Sequence, residues 1–386
     1  MTSKLKKRGL YAVAASLLLG LGFYLIQSRS LQPSAWQWNL PAHFPVPRVP
    51  ADNLMSEEKF QLGRHLFYDK QLSGNGTMAC ASCHFQNLAF TDGKAVSMGA
   101  TGTPTLRSAQ TLANAAYHPF FTWANYSLVT MERQMIIPLL GENPVEMGVN
   151  DATLPVLLQR FKADATYVER FKTAFQGDED PIRLENIVKA IAVFQRGMIS
   201  ANSKYDQYLL KKTALAGNEE RGRALFFSDT AQCAKCHGSF NFNDQVISEG
   251  AQDVKTPFHN TGLYNLGGSG AYPEGNSGIA ELSGLTQDIG MFRAASLRNI
   301  EVTAPYMHDG SITTLAQVLE FYAAGGRVIE EGPNKGDGRH HPNKDVRLNQ
   351  IKLNKAEQAD LIAFLKTLTD TEFLSNPRFS DPSTTP

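Results

Sequence analysis

The chain has 386 residues, enough for two domains with separate cores. Lys+Arg and Asp+Glu are equal at 37 each, so bulk charge gives no reason to expect a nucleic-acid partner. Only four cysteines are present, and 31 glycines with 19 prolines point to much loop.

Lys4, Lys6, Lys7 and Arg8 precede a continuous apolar run at 10–26. A basic start followed by such a run is an export signal. No small-x-small cleavage site follows, so residues 1–30 read as a signal able to stay on as a membrane anchor with its positive end inside. A buried core helix fits poorly, because the run has basic residues at its start and no polar face. Residues 31–54 hold Trp36, Trp38 and a series of prolines that rule out a helix, so an extended surface arm is expected there. Ser56 is a good N-cap, with Glu57 and Glu58 in the first turn of a helix whose apolar side is Phe60, Leu62, Leu66 and Phe67.

CASCH follows at 80–84, and CAKCH stands at 233–237. Each is C-x-x-C-H, the attachment signature of a c-type haem. Two thiols one turn apart reach the two vinyl groups of one porphyrin. The adjacent imidazole takes an axial position on the iron. Cys80, Cys83 and His84 would hold one haem, and Cys233, Cys236 and His237 a second. A zinc site from two CxxC pairs is the alternative, but a histidine follows each pair directly and about 150 residues lie between them. A thioredoxin-like dithiol needs a βαβ setting that is not visible. Both motifs together use every cysteine, which leaves none for a structural disulfide.

GRHLFYD at 63–69 precedes the first motif and GRALFFSD at 222–229 the second, so one helical haem-binding module is used twice. Apolar spacing predicts helices over 154–161, 167–175 and 184–196. Glycine-rich loops run from 262 to 284. A helix over 314–323 stops at Gly325 and Gly326, and another covers 355–368. The polar tail after Asn376 is expected to be loose. Strand alternation is almost absent. The predicted class is mainly α, with two cytochrome c-like domains at 55–205 and 206–376, each binding one covalently attached haem.

With LGRHLFYD, CASCH, AFTDG, FTWANYSLVTMERQ, NPVEMG, CAKCH, SLRNIEVTAPYMHDG and VLEFYAAGG, the chain resembles the bacterial di-haem cytochrome c peroxidase and MauG superfamily over nearly all of 38–370. Ordinary peroxidases of that family carry a capping histidine sixteen residues after the motif histidine. Here that position is Ala100, which implies an open first iron. His118 is a rival cap but reads better as structural. The resemblance places Glu146 on the catalytic glutamate, Gln134 on a distal-pocket glutamine and Trp123 on the tryptophan between the haems, with extra residues around 139–143. It places Tyr322 where cytochrome peroxidases have a methionine ligand to the second iron. Met291, Met307 and Tyr306 are rival ligands. A phenolate stabilises the higher oxidation states, where methionine would raise the potential. A calcium ion between the domains is also implied, with Thr303 and Pro305 carbonyls as ligands. Ser108 stands where asparagine is usual, which weakens that expectation.

The resemblance is nearest to methanobactin-associated MauG-like enzymes. It implies a periplasmic enzyme that uses H2O2 to reach a high-valent, bis-ferryl-type state and oxidises a protein substrate, such as a tryptophan on a partner. Two alternatives stand beside it. One is a cytochrome c peroxidase fed by a small cytochrome; the other is a non-catalytic di-haem electron carrier.

Overall fold

A computed structural model describes residues 36–384. Helices of six residues or more are, among the described residues, α1 (Glu57–Tyr68), α2 (Met131–Leu140), α3 (Leu154–Ala163), α4 (Ala165–Ala174), α5 (Leu184–Arg196), α6 (Lys204–Leu209), α7 (Gly217–Phe226), α8 (Leu315–Ala323) and α9 (Lys355–Lys366). One small antiparallel hairpin, β1 (Val328–Ile329) with β2 (Gly336–Asp337), interrupts the helical pattern. The apolar run at 10–26 lies outside the described residues. Among those described, no helix is long and apolar enough to cross a membrane.

Helix starts follow local chemistry. The Ser56 hydroxyl accepts from the Lys59 N–H at the head of α1, and Thr314 and Asn354 close capping boxes at α8 and α9. The repeated Gly-Arg-x-Leu-Phe then explains how the helices pair. A Cβ on Gly63 would sit 2.0 Å from the Ala190 carbonyl oxygen, and one on Gly222 would sit 1.9 Å from that of Asp360. Only glycine lets α1 cross α5, and α7 cross α9, at backbone contact. Phe67 packs at 5.3 Å from Phe194 across the first crossing, and Phe226 at 5.3 Å from Phe364 across the second. Each fully buried phenylalanine contributes about 1.5–3 kcal/mol.

Two expectations fail at the C-terminus. The second domain does not end cleanly at 376, and residues 377–384 are not a loose tail. Phe373 packs on Phe90 and Phe379 on Phe60, both in the core of the first module. Tyr68 donates to the Phe379 carbonyl and Arg64 to that of Ser380. Two aromatic side chains outweigh the polar, proline-containing composition around them. The arm is likewise pinned to both halves: Trp36 lies on Phe60, and Phe44 lies on Phe240.

Replacing Gly222 with alanine forces the α7–α9 crossing apart. It is expected to lower stability by about 1–3 kcal/mol, read as a drop in the melting temperature of the haem-loaded protein. An unchanged melting temperature would contradict the backbone contact.

Candidate active site: two clefts and what lies between them

Cys80, Cys83 and His84 line one open cleft of about 1540 Å3, together with Gln134, Glu146 and Trp123. The motif sits on a single tight turn, Cys80–Ser82. His84 Nδ1 lies 2.6 Å from the Phe90 carbonyl oxygen. That contact fixes the tautomer and leaves Nε2 free to act as a ligand. Burial lowers the His84 pKa, so the imidazole stays neutral, as a metal ligand must be. Phe90 holds φ at +61°, aiming its carbonyl back at the ring. Burial pushes the Cys80 thiol up to about 12 and raises Cys83 too, so neither is a free thiolate.

Gln134 and Glu146 reach this cleft through two kinds of backbone constraint. Pro138 inside α2 cannot donate to the Gln134 carbonyl, which breaks the regular ladder four residues on from Gln134. The end of α2 instead receives the Glu146 loop: Met147 N–H donates to Pro138 O and Val149 N–H to Leu139 O. On the other side Ala100 N–H donates to Glu146 O at 2.7 Å. A Cβ on Gly99 would lie 1.9 Å from Val145 O, so the loop rests directly on that glycine. Burial raises the Glu146 pKa.

The second cleft, about 1850 Å3, is lined by Cys233, Cys236, His237 and Tyr322. His237 Nδ1 lies 2.9 Å from the Phe242 carbonyl oxygen, and Phe242 also has positive φ, +53°. Phe242 packs on Phe226 and Phe364 much as Phe90 packs on Phe67 and Phe373. The Tyr322 phenol is raised by burial above all. Its hydroxyl makes no hydrogen bond among the described residues. Of the rival ligands, Met307 and Tyr306 line the same cleft, but the Tyr306 hydroxyl is spent on the Ile300 carbonyl. Met291 does not line it.

Trp123 borders both clefts, with Nε1 donating to Ser108 O at 2.9 Å. The histidines of the first cleft are His84 and His118. His118 Nε2 takes a 2.9 Å hydrogen bond from buried Arg293, and burial with that guanidinium lowers its pKa well below the usual value. Thr303 and Pro305 line the second cleft near Ser108.

Sequence reasoning missed Arg293, whose Nε has no partner although it is buried against the second cleft. It also missed His259, which lies 2.6 Å from Asp244 and 3.3 Å from Asp345 beside Cys236. Burial works against protonating His259, while the hydrogen-bonded Asp244 carboxylate raises its pKa. No spacing signal links these residues. The groups present fit two haems: two thiols and a neutral imidazole per cleft, an unpartnered phenol, and a buried guanidinium whose Nε–H is still free to meet a propionate. The CxxC pairs occupy different clefts, which removes the shared zinc site.

Residues 57–214 match the di-haem cytochrome c peroxidase family. The chain is 36% identical to the cytochrome-c peroxidase IdrP1 of Pseudomonas sp. (strain SCT), over 89% of this chain and 87% of that one. The chain belongs to the di-haem cytochrome c peroxidase family. It is also 30% identical to the methylamine utilization protein MauG of Methylorubrum extorquens, over 83% and 80% of the two chains. A crystal structure of a MauG-like protein associated with microbial copper homeostasis superposes with a TM-score of 0.89 at 52% identity, covering 90% of this chain and all of that one. As a di-haem cytochrome c peroxidase relative, the chain is a haem peroxidase-type oxidoreductase, which sets aside the purely electron-carrying alternative.

If Gly99 supports the Glu146 loop, Gly99→Ala should leave haem content intact. It should also slow the peroxide reaction at least about tenfold, on the scale of a displaced proton-transfer group. Stopped-flow rates within twofold of the parent would rule that support out.

Proposed function

We propose that this enzyme faces the periplasm, carries its two haems through thioethers to Cys80/Cys83 and Cys233/Cys236, and uses H2O2 to oxidise a protein substrate at a distance. The carrying observation is the difference between the clefts. The unpartnered Tyr322 hydroxyl lines the His237 cleft. On the His84 side position 100, next to the cleft-lining Gly99, is alanine, and the second imidazole of that cleft is engaged by Arg293. Bound in these clefts, one iron would be left open to oxidant and the other would meet the Tyr322 hydroxyl, a hard oxygen donor. Export follows from the basic residues before the apolar run at 10–26.

When bound, haem supplies the iron at which peroxide is reduced. The chain's own residues do the rest. His84 and His237 would each hold an iron through Nε2, with Nδ1 fixed on a carbonyl. Glu146 moves the proton from the inner to the outer peroxide oxygen, and Gln134 hydrogen-bonds in the same pocket. Trp123 carries a hole between the clefts. The substrate is a residue on a partner protein, such as a tryptophan. Thr303 and Pro305 carbonyls take no hydrogen bond among the described residues and serve as hard oxygen donors for a calcium ion. The Ser108 hydroxyl, 3.2 Å from Met307 O, is already engaged. Treatment with a calcium chelator is expected to lower the melting temperature; no change removes the ion from this account.

Glu146 acts as base only when ionised. Its raised pKa means that form is lost at a higher pH than for an ordinary glutamate as the solution is acidified. The peroxide reaction should therefore fall on the acid side with a midpoint above the usual carboxylate range. Glu146→Gln should slow it by ~10²–10⁴-fold and flatten that limb with haem content unchanged. A variant with the parent's rate removes Glu146 from the mechanism.

The rival reading is peroxide reduction with electrons from a small cytochrome c, as the names of several relatives indicate. Steady turnover with reduced cytochrome c from the fully ferric enzyme would favour it. The proposed asymmetry predicts one high-spin and one low-spin ferric haem by EPR, the low-spin signal shifting in Tyr322→Phe. Two low-spin haems would overturn it.

A further inference from the structure

Against the second cleft lies a cluster of aromatic side chains that includes Tyr264, Tyr272 and Tyr306, with Trp123 and Tyr322 packed against it. The tyrosines differ in where their protons point. Tyr272 donates to the amide oxygen of Asn260 at 3.2 Å and Tyr306 to a backbone carbonyl. Tyr264, only 6% exposed, donates to the carboxylate of Asp309 at 2.5 Å.

That carboxylate is wired to the bridging tryptophan. Trp123 Nε1 donates to Ser108 O, Ser108 N–H donates to His308 O at 2.9 Å, and Asp309 is the next residue. The Arg327 guanidinium lies 5.8 Å from the centre of the Tyr264 ring. A fixed positive charge there opposes a cationic ring, so the ring loses an electron only if its proton leaves as well. A carboxylate already in hydrogen-bond contact accepts that proton without any diffusion.

We propose that Tyr264 is a further oxidisable site of this enzyme. One electron leaves its ring for the peroxide-oxidised haem pair by way of Trp123. The phenolic proton passes to Asp309 Oδ2, leaving a neutral tyrosyl radical, a neutral carboxyl, and a haem pair reduced by one electron. The site holds an oxidising equivalent when no protein partner is there to receive it, and it rests on the peroxide reading above. A second tyrosine–carboxylate pair, Tyr167 with Asp69 at 2.7 Å, lies in the first core without such a path and serves as the control.

The test mixes the ferric, haem-loaded enzyme with one equivalent of H2O2 and no partner protein. Optical spectra follow the haems, and samples frozen over time are read by EPR. The expected result is a radical signal that narrows when the protein is made with ring-deuterated tyrosine. It is lost in Tyr264→Phe and kept in Tyr167→Phe and Tyr272→Phe, while the oxidised haem spectrum lives longer in Tyr264→Phe. A tyrosyl signal unchanged in Tyr264→Phe overturns the proposal, as does one lost in Tyr167→Phe. Haems that are oxidised with no tyrosyl signal at all overturn it and leave the peroxide reading standing. Haems that do not respond to peroxide sink both.

Discussion

Everything in this molecule depends on a hydrogen bond made twice, from a motif imidazole to the carbonyl of a buried phenylalanine a few residues on. His84 bonds to Phe90 and His237 to Phe242. The contact decides which nitrogen is free for iron and how the ring is turned. Each acceptor carbonyl is aimed by a positive φ that a bulky residue rarely adopts, costing of order 1–3 kcal/mol. The local strain persists because the same phenylalanine rings are locked into the helix crossings at Gly63 and Gly222. Core packing thereby sets ligand geometry.

The two modules agree in their proximal halves and differ in what faces them. Phe67 and Phe226, Gly63 and Gly222, and the paired carbonyls match one for one. Opposite them stand the Glu146 carboxyl on a glycine-supported loop in one cleft and the buried Tyr322 phenol in the other. Duplication supplies the cofactor mounts, and divergence of the loops between them supplies a division of labour. Trp123 borders both clefts, the one indole among the described residues that lines either of them.

The mounts were legible because their chemistry is local. Two thiols and an imidazole within five residues, an N-cap with acidic first-turn residues, and a 3.6-residue apolar period are all read without knowing the fold. Tyr322 and Glu146 came only through resemblance, since a tyrosine on an amphipathic helix or a glutamate in a loop has no signature of its own. Arg293 meets His118 across 175 positions and His259 meets Asp345 across 86, and no periodic pattern spans such gaps. The helix over Met131–Leu140 escaped notice because a proline sits inside it. The C-terminal segment misled for the opposite reason: its composition is polar, but Phe373 and Phe379 alone decide where it goes.

The second mount carries an additional lock, a buried ion pair behind the loop that orients its histidine. Arg298 and Asp206 are nearly inaccessible to solvent and pair at 2.9 and 3.0 Å. Burying two charges is unfavourable unless every donor and acceptor is met. Here Nε and Nη2 also donate to the Phe240 carbonyl, Ser203 and His43 complete the carboxylate, and the Phe44 and Phe242 rings flank the cation. Burial raises the Asp206 pKa, but Arg298 outweighs it and the net shift is downward. The pair therefore stabilises the fold above the ordinary aspartate pKa and weakens only as pH falls through the lowered one. Replacing it with apolar groups could serve stability as well or better. What an apolar substitute could not do is hold the Phe240–Phe242 loop by directed bonds. That loop carries the carbonyl that orients His237, so the pair acts on how that imidazole is turned, and through the Phe44 contact it ties the N-terminal arm to the same loop.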